Sequence, residues 1–480
     1  MRELAYPFPA DWDAKTVGDI ACHVGSGATP TGGSSVYSKT GITFIRSQNV
    51  TFKGLLLDDV AFIEPRIHQQ MARSEIFPHD VLLNITGASI GRGCFVPHGF
   101  GIANVNQHVC AIRLPQPSHE DAVFLAGVLA SHIGQSQIDR LNAGGNREGL
   151  NYQQVRSFSV PWPMPEERKR IAAILEAVDE TIAKTEAVIA KLKQVRAGLL
   201  HDLLTRGLNE HGQLRDPLAH PEQFQDSPLG RIPLEWEVQS LESVTDPSTP
   251  ICYGIVQAME FVPDGVPVLT IRDLLGDYST GLHRTARNID ANYARSRVRP
   301  DDVLISVKGT IGRVAVVPQH FQGNISRDLA RVRPNNRVRA RFLVHLLRSP
   351  RGQRILEQAQ VGTTRAELSI APLKRLSFAF PLPTEQERIA MVLDEHDALI
   401  RSHEHEFERL GQLKSGLMTD LLTGRVRVPE HFGVRRHDAA LSSRAHEPAS
   451  GPLRPETAHE SGDTSPHSKD TSPHSKGDTP

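Results

Sequence analysis

The chain has little cysteine, no long apolar run and none of the short motifs by which many enzymes are recognised, and each absence removes a class. Its 480 residues include four cysteines, Cys22, Cys94, Cys110 and Cys252. They are scattered, with no CxxC pair and no histidine at ligand spacing, so isolated and mostly buried thiols are expected rather than disulfides or a zinc site. No apolar stretch reaches the 18 residues of a membrane span, and Met-Arg-Glu-Leu-Ala opens no signal peptide. A soluble, cytoplasmic protein is therefore expected. The glycine-rich run from Gly25 to Gly33 lacks the GK[ST] ending of a phosphate-binding loop, and His403-Glu-His405-Glu is not HExxH. No Pro-Pro dipeptide occurs, which removes the motif with which amino-methyltransferases hold a flipped base. The acidic pairs Asp58-Asp59 and Asp301-Asp302 do not assemble with other residues into a nuclease centre, and the second sits at a turn before a strand.

What the chain does have is an internal repeat. Pro163 to Thr205 returns, shifted by 218 positions and without a gap, as Pro381 to Thr423, with 18 of 43 aligned positions identical. Unrelated segments would share about two or three. Each copy reads as one long helix opened by prolines, and Thr384 followed by Glu387 has the form of a capping box. Apolar residues recur at alternating steps of three and four. Ile171, Val178, Thr185, Leu192 and Leu199 fill one core position of a heptad, and Leu175, Ile182, Ile189, Arg196 and Leu203 the other. This is a coiled-coil seam. The second copy fills the same slots with Ile389, His396, His403, Leu410 and Leu417, and with Leu393, Ile400, Phe407, Lys414 and Leu421. Roughly 40 residues at 1.5 Å each make a rod of about 60 Å. A rod that long and one-sided needs a partner, and its own repeat is the nearest candidate.

The segments ahead of the two rods also correspond, more loosely. Asp80-Val-Leu-Leu-Asn-Ile-Thr-Gly87 answers Asp302-Val-Leu-Ile-Ser-Val-Lys-Gly309, each followed by Ile-Gly-Arg, and Pro9-Ala-Asp-Trp12 answers Pro233-Leu-Glu-Trp236. Strand-like runs at Ile42–Ile45, 81–85 and 108–114 lie among Gly- and Asn-rich turns, a helix-like segment covers 122–137, and Phe158-Ser-Val160 leads as a strand into the first rod. The chain thus divides into a domain over 1–160, a helix over 163–208, a polar linker over 209–231, a second domain over 232–380, a second helix over 381–428, and a low-complexity tail over 429–480 that ends in a tandem DTSPHSK. Disorder is the expectation for the tail.

A net charge of −1 hides an asymmetry. From Arg231 to Phe380 there are 21 Lys and Arg, 19 of them Arg, against 14 Asp and Glu; residues 1–160 hold 12 against 13. An Arg-dominated half fits phosphate and guanine contacts. Turns flanking the strands carry the residue types that read base edges. In the first domain these are Arg46, Ser47 and Gln48, Asn84 and Thr86, Asn106 and Gln107, and Asn146 and Arg147. In the second they are Arg272, Lys308, Thr310, Ser326, Arg327, Thr364 and Arg365. Simple turn satisfaction is the competing reading for any one of them.

Two diverged domains, each followed by a near-duplicate helix opened by Pro163-Met-Pro-Glu-Glu-Arg-Lys-Arg-Ile-Ala172 or Pro381-Leu-Pro-Thr-Glu-Gln-Glu-Arg-Ile-Ala390, resemble the specificity subunit of a type I restriction-modification system. The Asp-Leu-Leu-Thr endings at 202–205 and 420–423 and the connector Asp226 to Pro233 carry the same resemblance, which spans about residues 10–425. It implies an α+β architecture: two mixed target-recognition domains separated by helices that pair as an antiparallel coiled coil, with a pseudo-twofold internal repeat. It also implies that each domain reads one half of a bipartite site in double-stranded DNA while the rods fix the gap between the halves. Two modification subunits and the restriction subunits would dock on the scaffold, with Arg170, Asp179, Arg388 and Asp397 as candidate docking residues. No cofactor is then expected on this chain; S-adenosylmethionine, ATP and magnesium would be held by the partners. Two alternatives stay open at this level, a self-contained DNA-modifying or DNA-cleaving enzyme with unrecognised motifs, and a coiled-coil structural adaptor.

Overall fold

A computed structural model describes residues 8–142, 149–360 and 367–430. The fold is α+β. In the first domain one sheet has the strand order Ala61–Ile63, Ile42–Ile45, Ala103–Val105, Glu75–Ile76, and a second has the order His23–Ser26, Val109–Arg113, Val81–Asn84, Gly93–Phe95. Strand Val81–Asn84 is buried at every position because its two faces belong to different cores. Val81 and Leu83 pack with Phe124 and Leu125, and Leu82 packs with Ile45 and Val105. The second domain repeats the plan. Its strand order is His283–Thr285, Val266–Leu269, Asn324–Ile325 in one sheet and Cys252–Tyr253, Leu329–Val332, Val303–Ser306, Val314–Val316 in the other. Leu304 again faces one core, with Leu269, while Val303 and Ile305 face the other.

Buried anchors recur at corresponding places. Arg113 pairs with fully buried Asp80 and Arg333 with Asp302, at 2.6–2.8 Å. Asn104 donates to Ser74 Oγ, and its counterpart Asn324 accepts from Ser296 Oγ. The expected helix at 122–137 is two helices, His119–Ala130 and His132–Asn142, broken at Ser131. Ser131 is extended (φ −75°, ψ 172°), and its hydroxyl caps Ile133 N–H, so a local side-chain hydrogen bond interrupts the ladder. Cys94 and Cys110 are buried, which pushes their thiols up to about 12, while Cys22 is exposed.

An antiparallel ribbon ties the start of each domain to the strand that enters the next long helix, Asp13–Thr16 with Ser159–Trp162 and Glu237–Ser240 with Ser377–Phe380. The helices span Pro165–Thr205 and Pro383–Leu422, each with proline in its first turn. The expected capping box at Thr384 is not formed: the cap residue is Leu382, and Thr384 lies inside the first turn that Pro383 opens. Between residues 179 and 199 the positions withdrawn from solvent are Ile182, Thr185, Ile189, Leu192, Arg196 and Leu199, which are the seam positions.

The two helices run in opposite directions, because Arg196 pairs with Asp397 at 2.6 Å while Lys414 pairs with Asp179 at 2.5 Å. Consequently each domain core takes opposite ends of both helices. Ile171 and Leu175 join the first core together with Leu421 and Leu422, and Leu200, Leu203 and Leu204 join the second with Ile389 and Leu393.

Each junction is closed by a carboxylate, an indole and a guanidinium. Glu167 accepts from Trp12 Nε1 at 3.0 Å and from Arg427 at 2.7 and 2.8 Å. Glu385 accepts from Trp236 Nε1 at 3.3 Å and from Arg215 at 2.7 and 3.2 Å. Contact with Glu167, then Asp11, raises the pKa of Arg427. Arg215 belongs to the stretch expected as a polar linker; its side chain is 7% exposed and pins that stretch to the second helix. Gly207 makes the fit possible: at φ +64° a Cβ there would stand 2.3 Å from Glu385 Oε1.

Candidate nucleic-acid interface

In the first domain, strands Ile42–Ile45 and Ala103–Val105 are parallel, so the loops after them emerge at the same edge. The antiparallel sheet delivers the end of His23–Ser26, the end of Val81–Asn84 and the turn before Val109 to that edge as well. Backbone bonds stitch these loops together: Asn106 N–H to Ile45 O, Ile85 N–H to His108 O, and Leu150 N–H to Ile85 O.

On this platform Arg46 donates to the Asp59 carbonyl at 2.7 Å, and Gln48 donates to the Asp59 carboxylate at 2.9 Å. Asp59 is itself 88% exposed. Beside them, Thr86 Oγ1 lies 2.5 Å from His108 Nδ1, His108 Nε2 lies 3.0 Å from Gln107 Nε2, and Thr29 donates to Gln107 Oε1. Ser26 and Tyr152 share a hydroxyl contact of 2.5 Å at the same edge.

The equivalent edge of the second domain forms in the same way. Val266–Leu269 and Asn324–Ile325 are parallel, Ser326 N–H bonds Leu269 O, and Val307 N–H bonds Asp328 O. Arg272 is 75% and Arg327 52% exposed at this edge. Lys308 is held by Glu367 at 3.0 Å, and Thr310 is exposed. Ser326 is half-buried, and its Oγ finds no partner among the described residues. In the core that holds Leu269 and Leu304, burial pushes the Tyr278 hydroxyl up to about 12, so it stays protonated and donates to Leu274 O.

The structure brings most of the sequence-derived candidates to these two edges, with corrections. Asn84 is fully buried and spends its amide on Ser47 O at 2.8 Å; it shapes the turn and cannot reach a base. Asn106 is 8% exposed, and its Oδ1 caps His108 N–H. Asn146, Arg147, Thr364 and Arg365 lie outside the described residues. Among the docking candidates, Asp179 and Asp397 are engaged by the opposite helix, and Arg388 donates to the carbonyls of Asn209 and Glu210. All three thus have partners within the chain. Arg170 is half-buried, with Nε lacking a partner among the described residues.

Sequence reasoning missed Thr29, His108 and Glu367, and treated Asp59 only as half of an acidic pair. Asp59 stands 13 residues from Arg46, a separation no local pattern signals. Among the described residues no group of His, Cys, Asp and Glu could hold a metal ion, and no helix is long and apolar enough to cross a membrane.

Comparison with known proteins gives this architecture a family. The chain is 25% identical over 366 residues to the EcoBI specificity subunit of Escherichia coli, covering 73% of this chain and 74% of that one. It is 25% identical over 438 residues to a specificity subunit designated MjaX from Methanocaldococcus jannaschii, covering 88% and 95%. Among solved structures, the S subunit of a type I restriction-modification system from M. genitalium shares the fold with a TM-score of 0.53 at 14% identity, covering 88% of this chain and 98% of that chain. A chain from a type I R-M system studied for its complex assembly gives the same TM-score of 0.53 at 20% identity, covering 88% and 100%. The family model of the type I restriction modification DNA specificity domain matches residues 9–194 and 260–412, and the chain belongs to that family.

Proposed function

We propose that the chain is the DNA-specificity subunit of a type I restriction-modification complex. Each domain reads one half of a bipartite duplex site through its loop edge, and the two helices, as an antiparallel coiled coil relating the domains by a pseudo-twofold, set the unread gap between the halves. The observation that carries this reading is the pair of similar platforms with dissimilar side chains, built on opposite ends of one shared helical rod. Gln107 on one edge corresponds to Arg327 on the other, which suits two different half-sites. A rigid separator converts its own length into half-site spacing. Chemistry belongs to the partners: two modification subunits holding S-adenosylmethionine, and restriction subunits holding ATP and magnesium, in the cytoplasm. Arg170, half-buried on the first helix, and Asp179, Arg388 and Asp397 are the docking candidates for those subunits.

The test is selection of the full-length chain, with its modification subunits, against randomised duplex DNA. Two short conserved blocks separated by a fixed unread gap are expected. A single block, or binding indifferent to sequence, refutes the reading, and so does cutting or methylation of DNA by the purified chain alone.

A further inference from the structure

The relay around Gln107 permits one step from side chain to base. A glutamine amide nitrogen carries only hydrogens, so the 3.0 Å contact between Gln107 Nε2 and His108 Nε2 requires the imidazole nitrogen to accept. With the amide so placed, the matching tautomer of His108 has its proton on Nδ1, 2.5 Å from Thr86 Oγ1. At the other end of the amide, the Thr29 hydroxyl donates to Gln107 Oε1. Thr29 and His108 thus each engage one end of the amide, and each contact uses half of that end's capacity. One N–H and one oxygen lone pair remain uncommitted on a side chain that is exposed at the loop edge. Below it, the Asn106 cap on His108 N–H holds the turn that projects Gln107 outward.

A donor beside an acceptor on one planar group complements N7 and N6 of adenine in the major groove. Guanine, which offers two acceptors there, does not match. We propose that Gln107 is the residue of the first domain that reads an adenine, and that Thr29 and His108 are positioning residues that hold its amide in place. The proposal rests on the reading of this edge as the DNA-facing one.

The experiment repeats the selection on randomised duplexes with full-length protein carrying Gln107→Ala, Gln107→Glu, Thr29→Val, His108→Ala or His108→Gln. The wild type is expected to show an A·T pair in one block at which both Gln107 variants lose about tenfold or more in preference, with the other block unchanged. Gln107→Glu keeps the shape of the side chain and removes its N–H, so its loss separates readout from packing. Thr29→Val and His108→Ala should weaken preference at that same pair alone. His108→Gln, whose amide oxygen can accept in place of Nε2, should restore part of it. Unchanged blocks in the Gln107 variants, or a loss falling on a G·C pair, overturn the proposal while leaving the two-block reading intact. Absence of two blocks in the wild type instead refutes the functional reading beneath it. The second domain's block is the internal standard for folding, and Gln107 is a surface residue whose replacement leaves the cores untouched.

Discussion

Replacing Glu385 with Ala should destabilise the second domain far more than Glu167→Ala destabilises the first, although the two residues occupy corresponding places. Glu385 is 4% exposed and accepts from Arg215, Trp236 Nε1 and Leu208 N–H. Removing it leaves Arg215, 7% exposed, with Glu235 and the Arg206 carbonyl as its remaining acceptors. Breaking a buried pair by deleting one member costs about 3–5 kcal/mol, and the surviving acceptors place this case near 3. Arg427, by contrast, is 45% exposed and keeps a two-pronged contact with Asp11 when Glu167 is lost. That variant forfeits chiefly the Trp12 hydrogen bond, about 1 kcal/mol. For a domain of this size, 3 kcal/mol corresponds to a fall in melting temperature of roughly 6–12 °C. Hydrogen exchange read by mass spectrometry locates the effect. Glu385→Ala should deprotect 200–215 and 377–393, while Glu167→Ala leaves them protected. Equal destabilisation by the two variants, or a melting shift of Glu385→Ala below about 2 °C, would refute the assignment of the buried guanidinium as the source of the difference.

His345 is 3% exposed and faces Asp394 at 2.9 Å, and burial holds its pKa below the ordinary 6.5 against the pull of that carboxylate. The unfolded chain therefore takes up a proton near pH 6.5 that the folded chain does not, so stability from this group falls as pH drops below that value. In urea melts across that range, His345→Gln should be less acid-sensitive than the wild type; parallel profiles would dismiss the effect. Arg327→Ala should weaken one half-site by about 1–3 kcal/mol and leave the other unchanged, measured by competition binding. A uniform loss across sequences would mean that Arg327 holds a phosphate. Inserting one heptad at facing levels of both helices adds about 10 Å and should lengthen the tolerated gap by up to about three base pairs. An unchanged gap in the selection assay removes the ruler.

Much of this fold was legible because it is periodic or local. The helices begin at Pro165 and Pro383 where the prolines announce them, and burial along their middle follows the heptad read from apolar spacing. Strands Ile42–Ile45 and Val81–Asn84 were visible as short branched runs. What escaped depends on contacts across long separations. Glu385 and Arg215 lie 170 positions apart, and a polar, proline-interrupted stretch gives no hint that one of its arginines is a buried bolt. Asn84 looked like a reader because it ends a strand beside a turn; a strand buried on both faces carries its last polar residue inward. The loop edges were foreseeable as a set, since turn-rich segments follow strands, but the partners Asp59 and His108 come from other loops, and only folding puts them beside Arg46 and Gln107.

The polar seam positions now have a physical account that also bears on spacing. Arg196 and Lys414 are counterparts in the repeat, and so are Asp179 and Asp397, and each basic residue pairs with the acidic residue of the other copy. The two ion pairs are therefore one contact made twice, and both are satisfied in a single antiparallel register. Sliding one helix by a heptad would keep seam positions facing seam positions, yet it would separate both pairs together and leave Asp397, 20% exposed, without its guanidinium. Leucine at these slots would bury more apolar area and strengthen association without distinguishing one register from the next. The same arginine holds the Asp397 carboxyl below its ordinary pKa although burial alone would raise it. If the helices set the half-site gap as proposed, one fixed length matters more than maximal stability, and a charged residue in the seam, matched by a carboxylate across it, supplies that selection.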